Sequence, residues 1–174
     1  MAKKNSSPQN EAKLQNALLL FHFFLDKLGC KDLKALSEHL KDPALEGLDA
    51  NNVSMHYNTL VNHLFVNDQQ MQDLLLEYDH NIVRHTNEIN VNRGSQPVKW
   101  KYFQYLSLLF TEMYLDEYFN NKRGFLDDLN AYLLTFNNAT QYWHGISDIK
   151  ADDLNKLAFW NATGSGKTFL MHIH

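Results

Sequence analysis

Trp100-Lys-Tyr-Phe-Gln-Tyr-Leu-Ser-Leu-Leu-Phe-Thr-Glu-Met-Tyr-Leu-Asp-Glu-Tyr-Phe119 is the most apolar stretch of the chain. Twelve of the 18 residues from Tyr102 to Phe119 are apolar or aromatic. Read as a helix, it carries two narrow polar stripes, Gln104, Ser107 and Thr111 on one and Glu112, Asp116 and Asn120 on the other. A helix this apolar has to be covered on most of its sides. The fold expected around it is therefore a helical assembly.

The flanking sequence supplies the covering helices. Leu14, Leu18, Phe21, Leu25 and Leu28 recur at three- and four-residue spacing and predict a first helix from about Asn10, with Gly29 as its stop. Asp32 is placed to cap a short helix running to about Lys41, which Pro43 keeps from extending. Two more helices are expected, at about Ser54–Phe65 and, capped by Asp68, about Asp68–Asn87. Residues 42–53 read as loop. Asn-Val-Asn-Arg-Gly-Ser-Gln-Pro-Val, residues 90–98, reads as the clearest linker. Beyond the apolar stretch a further helix is expected at about Gly124–Phe136, with Asp127 and Asp128 in its first turn, followed by irregular chain over 137–153.

Composition agrees with a helical globular chain. The 174 residues are 44% hydrophobic and 21% charged, with seven glycines and three prolines. One cysteine, Cys30, excludes an intrachain disulfide and suits a cytoplasmic setting. No apolar run is long enough to span a bilayer, so no membrane partner is expected. Net charge is −4, and the acids concentrate in residues 42–90, with eight acidic residues against one basic. No segment has the basic footprint of a nucleic-acid-binding domain, so any DNA contact is expected outside this chain.

The C-terminal end changes character. Leu157-Ala-Phe-Trp160 is a short apolar run of the kind that makes a buried parallel strand. It leads directly into Asn161-Ala-Thr-Gly-Ser-Gly-Lys-Thr168. Gly164 and Gly166 permit backbone conformations that let successive amides, including those of Thr163 and Ser165, converge on an anion. Lys167 brings a cation to the β- and γ-phosphates, and the Thr168 hydroxyl suits a Mg²⁺ ligand. A helix starting near Gly166 would aim its positive end at the same phosphates. The first glycine of the G-x-x-x-x-G-K-[ST] pattern is replaced by Asn161, and the last five residues of the loop are intact.

Ala162-Thr-Gly-Ser-Gly-Lys-Thr168 resembles motif I of superfamily-two helicases. It is most similar to the branch that holds DEAD/DEAH-box proteins and the restriction subunits of type I and type III systems. The surroundings, Leu157–His172 and Trp100–Phe119, resemble the corresponding parts of restriction endonuclease subunit R proteins. The resemblance implies a helical N-terminal domain followed by the first strand and loop of a RecA-like α/β domain, with ATP and Mg²⁺ as cofactors. It implies as partners the rest of the helicase motor, DNA through the larger protein, and a methyltransferase or specificity subunit. In that superfamily a Tyr-Gln element upstream of motif I lies near the adenine. Gln104, in Tyr102-Phe-Gln104, is the match, though 57 residues separate it from Asn161 and an insertion has to be assumed. Its other reading is as a member of the polar stripe.

Six residues follow Thr168, too few for the further strands, acidic pair and arginines that nucleotide hydrolysis uses. The expectation is the N-terminal part of an ATP-dependent helicase or translocase of a restriction or phage-defence system. The parts are a tail over 1–9, a helical domain over 10–136, a connector over 137–156 and the motor's beginning over 157–174. No catalytic residue is assigned within it. The alternative is a non-enzymatic helical interaction module whose loop is an inert remnant.

Other clusters are assigned bland roles. The nine histidines include His56 and His63, seven apart, and His80 and His85, five apart, with no Cys/His or H-E-x-x-H pattern, so surface or structural roles are expected. Cys30 has no evident nucleophilic partner. Asp127/Asp128 and Asp152/Asp153 are adjacent pairs that do not face one site. The aromatic residues of 100–119 are expected to pack rather than stack on bases, since no basic residues interleave them.

Overall fold

The computed structural model describes residues 18–139, 147–158, 166, 168 and 170. It is mostly helical, and among the described residues there is no strand or sheet. Six α-helices follow in order: α1 Leu19–Lys27, α2 Leu33–Ser37, α3 Met55–Leu64, α4 Gln69–Asn90, α5 Tyr102–Asn120 and α6 Lys122–Ala139. Single 3-10 turns sit at Pro43–Leu45 and Asp153–Asn155.

The punctuation read from the sequence acts as expected. The side chains of Asp32 and Asp68 cap α2 and α4, accepting from the amides of Ala35 and Met71, and the structure adds Ser54, not singled out as a cap from the sequence, which caps α3 by accepting from the His56 amide. Gly29 takes φ +63° just beyond α1. The Gly29 and Cys30 amides donate back to the carbonyls of Asp26 and Leu25, a Schellman closure. Several boundaries move. α2 ends at Ser37 rather than near Lys41, with 38–40 in a turn, and α4 continues three residues past Asn87. α6 begins at Lys122, two residues before Gly124, so Asp127 and Asp128 fall in its second turn and are exposed there instead of serving its N-terminus. Residues 10–17 of the expected first helix lie outside the described residues.

The strand expected at Leu157–Trp160 is not shown. Leu157 and Ala158 have no regular secondary structure, and 159–160 lie outside the described residues. The helix expected after Gly166 is present where it is described. Thr168 and Leu170 are helical, and the Leu170 amide donates to the Gly166 carbonyl at 3.2 Å.

Helix α5 is the axis of the assembly. Tyr105, Leu106, Leu108, Leu109, Thr111, Glu112, Met113 and Tyr114 are all buried, and at 100° per residue they point in every direction. α4, α1 and α6 pack around it. Aromatic rings bind α1 to α5 and α6. Phe24 stacks on Phe110 and Phe125 at 6.1 and 6.2 Å between centroids, and Tyr114 meets Phe125 edge-on at 5.5 Å.

The polar groups on α5 are satisfied inside the protein. Ser107 and Thr111 donate to the carbonyls of Phe103 and Ser107, each four residues back. Glu112 accepts from the Asn81 amide and Asp116 from the Tyr78 hydroxyl, so the second stripe is the polar seam against α4. Lys27 of α1 pairs with Glu117.

The chain after α6 is docked on the bundle. The Asn130 amide group pairs in both directions with the backbone of Ile149, at 3.0 and 2.8 Å. Tyr118 donates to Asn155 and Tyr114 to the Leu154 carbonyl. Leu154 and Leu170 are both buried in the same core as the helices.

Phe125 has no exposed surface and touches rings from α1 and α5. Phe125→Ala is expected to lower unfolding free energy by about 3–5 kcal/mol, measured by urea denaturation, because a ring-sized void replaces contacts with α1 and α5.

Candidate functional site

The first turn of α5 is fixed by the segment ahead of it. Val98 donates its amide to the Asn90 side chain at 2.7 Å. The Trp100 indole donates to Thr86 Oγ1 at 2.8 Å, and that hydroxyl donates on to the Ile82 carbonyl. The Trp100 carbonyl accepts from His56 Nε2 at 3.0 Å. Residues 98–100 are thus held by α4 through side chains and by α3 through one imidazole. The Lys101 amide then donates to Gln104 Oε1 at 3.0 Å, which closes the helix start.

That closure aims the other end of the Gln104 amide at Gly166. An ideal Cβ placed on Gly166 would lie 2.5 Å from Gln104 Nε2. Gly166 also has φ +86°, a conformation that L side chains rarely adopt. The residue is therefore glycine for two reasons, backbone geometry and the close approach of Gln104. Residues 104 and 166 are far apart in sequence, and the structure brings them together.

Of the other loop residues named from the sequence, Thr168 is described and exposed. Thr163, Gly164, Ser165 and Lys167 lie outside the described residues, as does Asn161. Thr168 is exposed one residue beyond Lys167, and Leu170 anchors the same turn in the core.

The α5 residues flanking Gln104 line a groove of about 930 Å³. Tyr102, Phe103 and Ser107 form part of its wall, and Lys34, Lys41 and Lys156 contribute three cations. Among the described residues no acidic side chain lines it, and apart from the lysines its wall is mostly leucine and aromatic side chains. The Lys41 ammonium lies 6.0 Å from the centre of the Tyr102 ring.

A buried polar network underlies this corner, and sequence reading missed it. Asp79 is fully buried on α4 and accepts from the Ser54 amide at 2.9 Å and the Tyr105 hydroxyl at 2.8 Å. Burial pushes its carboxyl above the usual range, against the opposing pull of those two bonds. Burial also raises the Tyr105 phenol well above its ordinary value. His56 is buried, and the loss of solvent holds its imidazole below the ordinary value. A signal for Asp79 was present: it lies among Leu75, Tyr78, Ile82 and Val83 on the inward face of α4, where an acid needs internal partners.

The remaining clusters behave as ordinary surface and core groups. His63 stacks on His39 at 4.0 Å with near-parallel rings rather than sharing a site with His56. His85 contacts Glu88 at 3.4 Å. Asp153 accepts from the Lys150 amide. No group of three or more potential metal ligands occurs among the described residues. Burial raises the Cys30 thiol, which lowers its thiolate fraction at neutral pH. No helix among the described residues is long and apolar enough to cross a membrane. No family model, no curated protein and no solved structure matches the chain.

Two outcomes follow from this corner. Gly166→Ala is expected to destabilise the chain in thermal melts, and Gln104→Ala to relieve part of that loss. The double-mutant cycle should give a coupling of about 0.5–3 kcal/mol, the remainder being backbone strain that no change at 104 removes. For His56, the folded value lies below the ordinary 6.5. Its contribution to stability is therefore present above that value and is lost as pH falls below it. His56→Gln keeps a donor for the Trp100 carbonyl and does not titrate. Wild type should lose stability relative to His56→Gln as pH drops from about 7.5 to about 5, measured by urea midpoints at each pH.

Proposed function

We propose that this chain is the N-terminal part of an ATP-dependent DNA helicase or translocase, the Res-like restriction subunit of a restriction or phage-defence system. It binds Mg-ATP through residues 162–168 and does not hydrolyse it alone. The observation that carries the reading is the seating of Gly166 against Gln104. Two short elements, picked out separately as a phosphate loop and an adenine reader, sit side by side. Gln104 Oε1 closes the α5 start and Nε2 faces Gly166.

The roles follow from the residue chemistry. The amides of Thr163–Gly166 surround the phosphates, Lys167 neutralises them, and Thr168 ligates Mg²⁺. The three lysines of the neighbouring groove add a positive field that favours a polyanion. Hydrolysis calls for an acidic pair and arginines. The family resemblance places these in later motifs, so turnover belongs to the larger protein, together with DNA binding.

Calorimetric titration of Mg-ATP tests the reading, on this chain and on a longer polypeptide that includes the later motifs. Binding is expected in the longer protein, with loss of at least tenfold in affinity on Lys167→Ala and no turnover by the 174-residue chain. A longer protein that ignores ATP, or turnover by this chain that depends on Lys167, overturns the proposal. The first of those results leaves the helical interaction module as the better account.

A further inference from the structure

The lysine-bearing groove takes its walls from α1, α2, α5 and residues 156–158. Those walls are apolar and only half covered. Leu20 and Phe21 of α1, Leu33 of α2, Phe103 and Phe110 of α5, and Leu157 are each half-buried there. The hydroxyl protons of Ser107 and Thr111 are spent on carbonyls within α5. The charged groups are Lys34, Lys41 and Lys156, all exposed. Among the described residues none of the three joins an ion pair, in a chain whose net charge is −4. Nor do they stand at one point. Lys41 lies over the Tyr102 ring. Lys156 is two residues past Leu154, whose carbonyl accepts from the Tyr114 hydroxyl. Tyr102 and Tyr114 are separated by about 18 Å of α5, at about 1.5 Å per residue.

We propose that this groove is the docking site for an acidic amphipathic helix of a partner protein. The helix sets its apolar face on the leucine and aromatic walls, and carboxylates spaced along its length meet Lys34, Lys41 and Lys156. A stretch of about 18 Å accommodates about three turns of such a helix, with apolar anchors at i, i+3, i+4 and i+7. Covering the half-buried leucine and phenylalanine side chains supplies the affinity. The unpaired lysines supply the selectivity, since a basic partner would set like charges against them. A long-chain fatty acid would satisfy the apolar walls, yet its one carboxylate cannot serve lysines at both ends of the groove. The chain's own residues 1–17 have the wrong sign, with Lys3, Lys4 and Lys13 against Glu11.

The probes are blocked, fluorophore-labelled peptides of about twelve residues. All carry leucine at i, i+3, i+4 and i+7, and the flanking positions hold glutamate, glutamine or lysine. Each is titrated with the full chain in the absence of nucleotide, so that the outcome is independent of Mg-ATP binding, and followed by fluorescence anisotropy. The glutamate peptide is expected to bind saturably and about tenfold more tightly than the glutamine peptide at low salt. Raising the salt should shrink that advantage, and the lysine peptide should not bind. A glutamate peptide with serine in place of leucine should not bind either. The triple variant Lys34→Glu, Lys41→Glu, Lys156→Glu alters only exposed side chains, so folding is not at stake. It should exchange the preference, losing the glutamate peptide and gaining the lysine one. No binding of the glutamate peptide, equal binding of all three, or a preference unchanged in the triple variant overturns the proposal. Two further results overturn it as well. Dodecanoate binding without peptide binding makes the groove a lipid site. A dimer seen by sedimentation and dissolved by the triple variant makes it a contact between copies of the chain.

Discussion

The burial of α5 on all its faces governs the structure. A nineteen-residue helix with apolar side chains in every direction gains most when water is removed from its whole circumference. No single partner helix can do that. α4 takes one side, α1 and α6 take others, and the chain over 149–157 and Leu170 contribute to the same core. The cost falls on the polar groups that α5 carries inward. Each acquires an internal partner: Tyr105 on Asp79, Glu112 on Asn81, Asp116 on Tyr78. Those bonds fix the register of α5 against α4 more narrowly than apolar packing alone does, since a one-turn slip would strand buried acceptors.

The same constraint sets the candidate site. α5 begins where the Trp100 segment is tied down by His56 and Thr86, so the position of Gln104 is set by α3 and α4. Leu170 is drawn into the core, which brings Gly166 to the start of α5. Gly166 is thus followed four residues on by a buried leucine and met by a glutamine from a distant part of the chain.

Buried titratable groups make the corner sensitive to its surroundings. Asp79, Tyr105 and His56 sit within one network, and burial disfavours the charged form of each. Their protonation is therefore coupled to folding rather than to solvent alone.

The sequence by itself determined the helices and their stops. The three- and four-residue spacings, Gly29, and the caps Asp32 and Asp68 are local signals, and local hydrogen bonds honour them. It also determined that 100–119 would be buried, because solvation of so many apolar side chains has no local remedy. α6 starts two residues before Gly124, since the Phe125 amide already donates to the Asn121 carbonyl and begins the helix there. Only the tertiary structure decided that the stripe of Glu112 and Asp116 faces α4, that Asp79 and His56 are interior, and that Gln104 meets Gly166. Each of these is a pairing of groups far apart along the chain. Spacing within a helix says which residues share a face, and only packing says what that face meets.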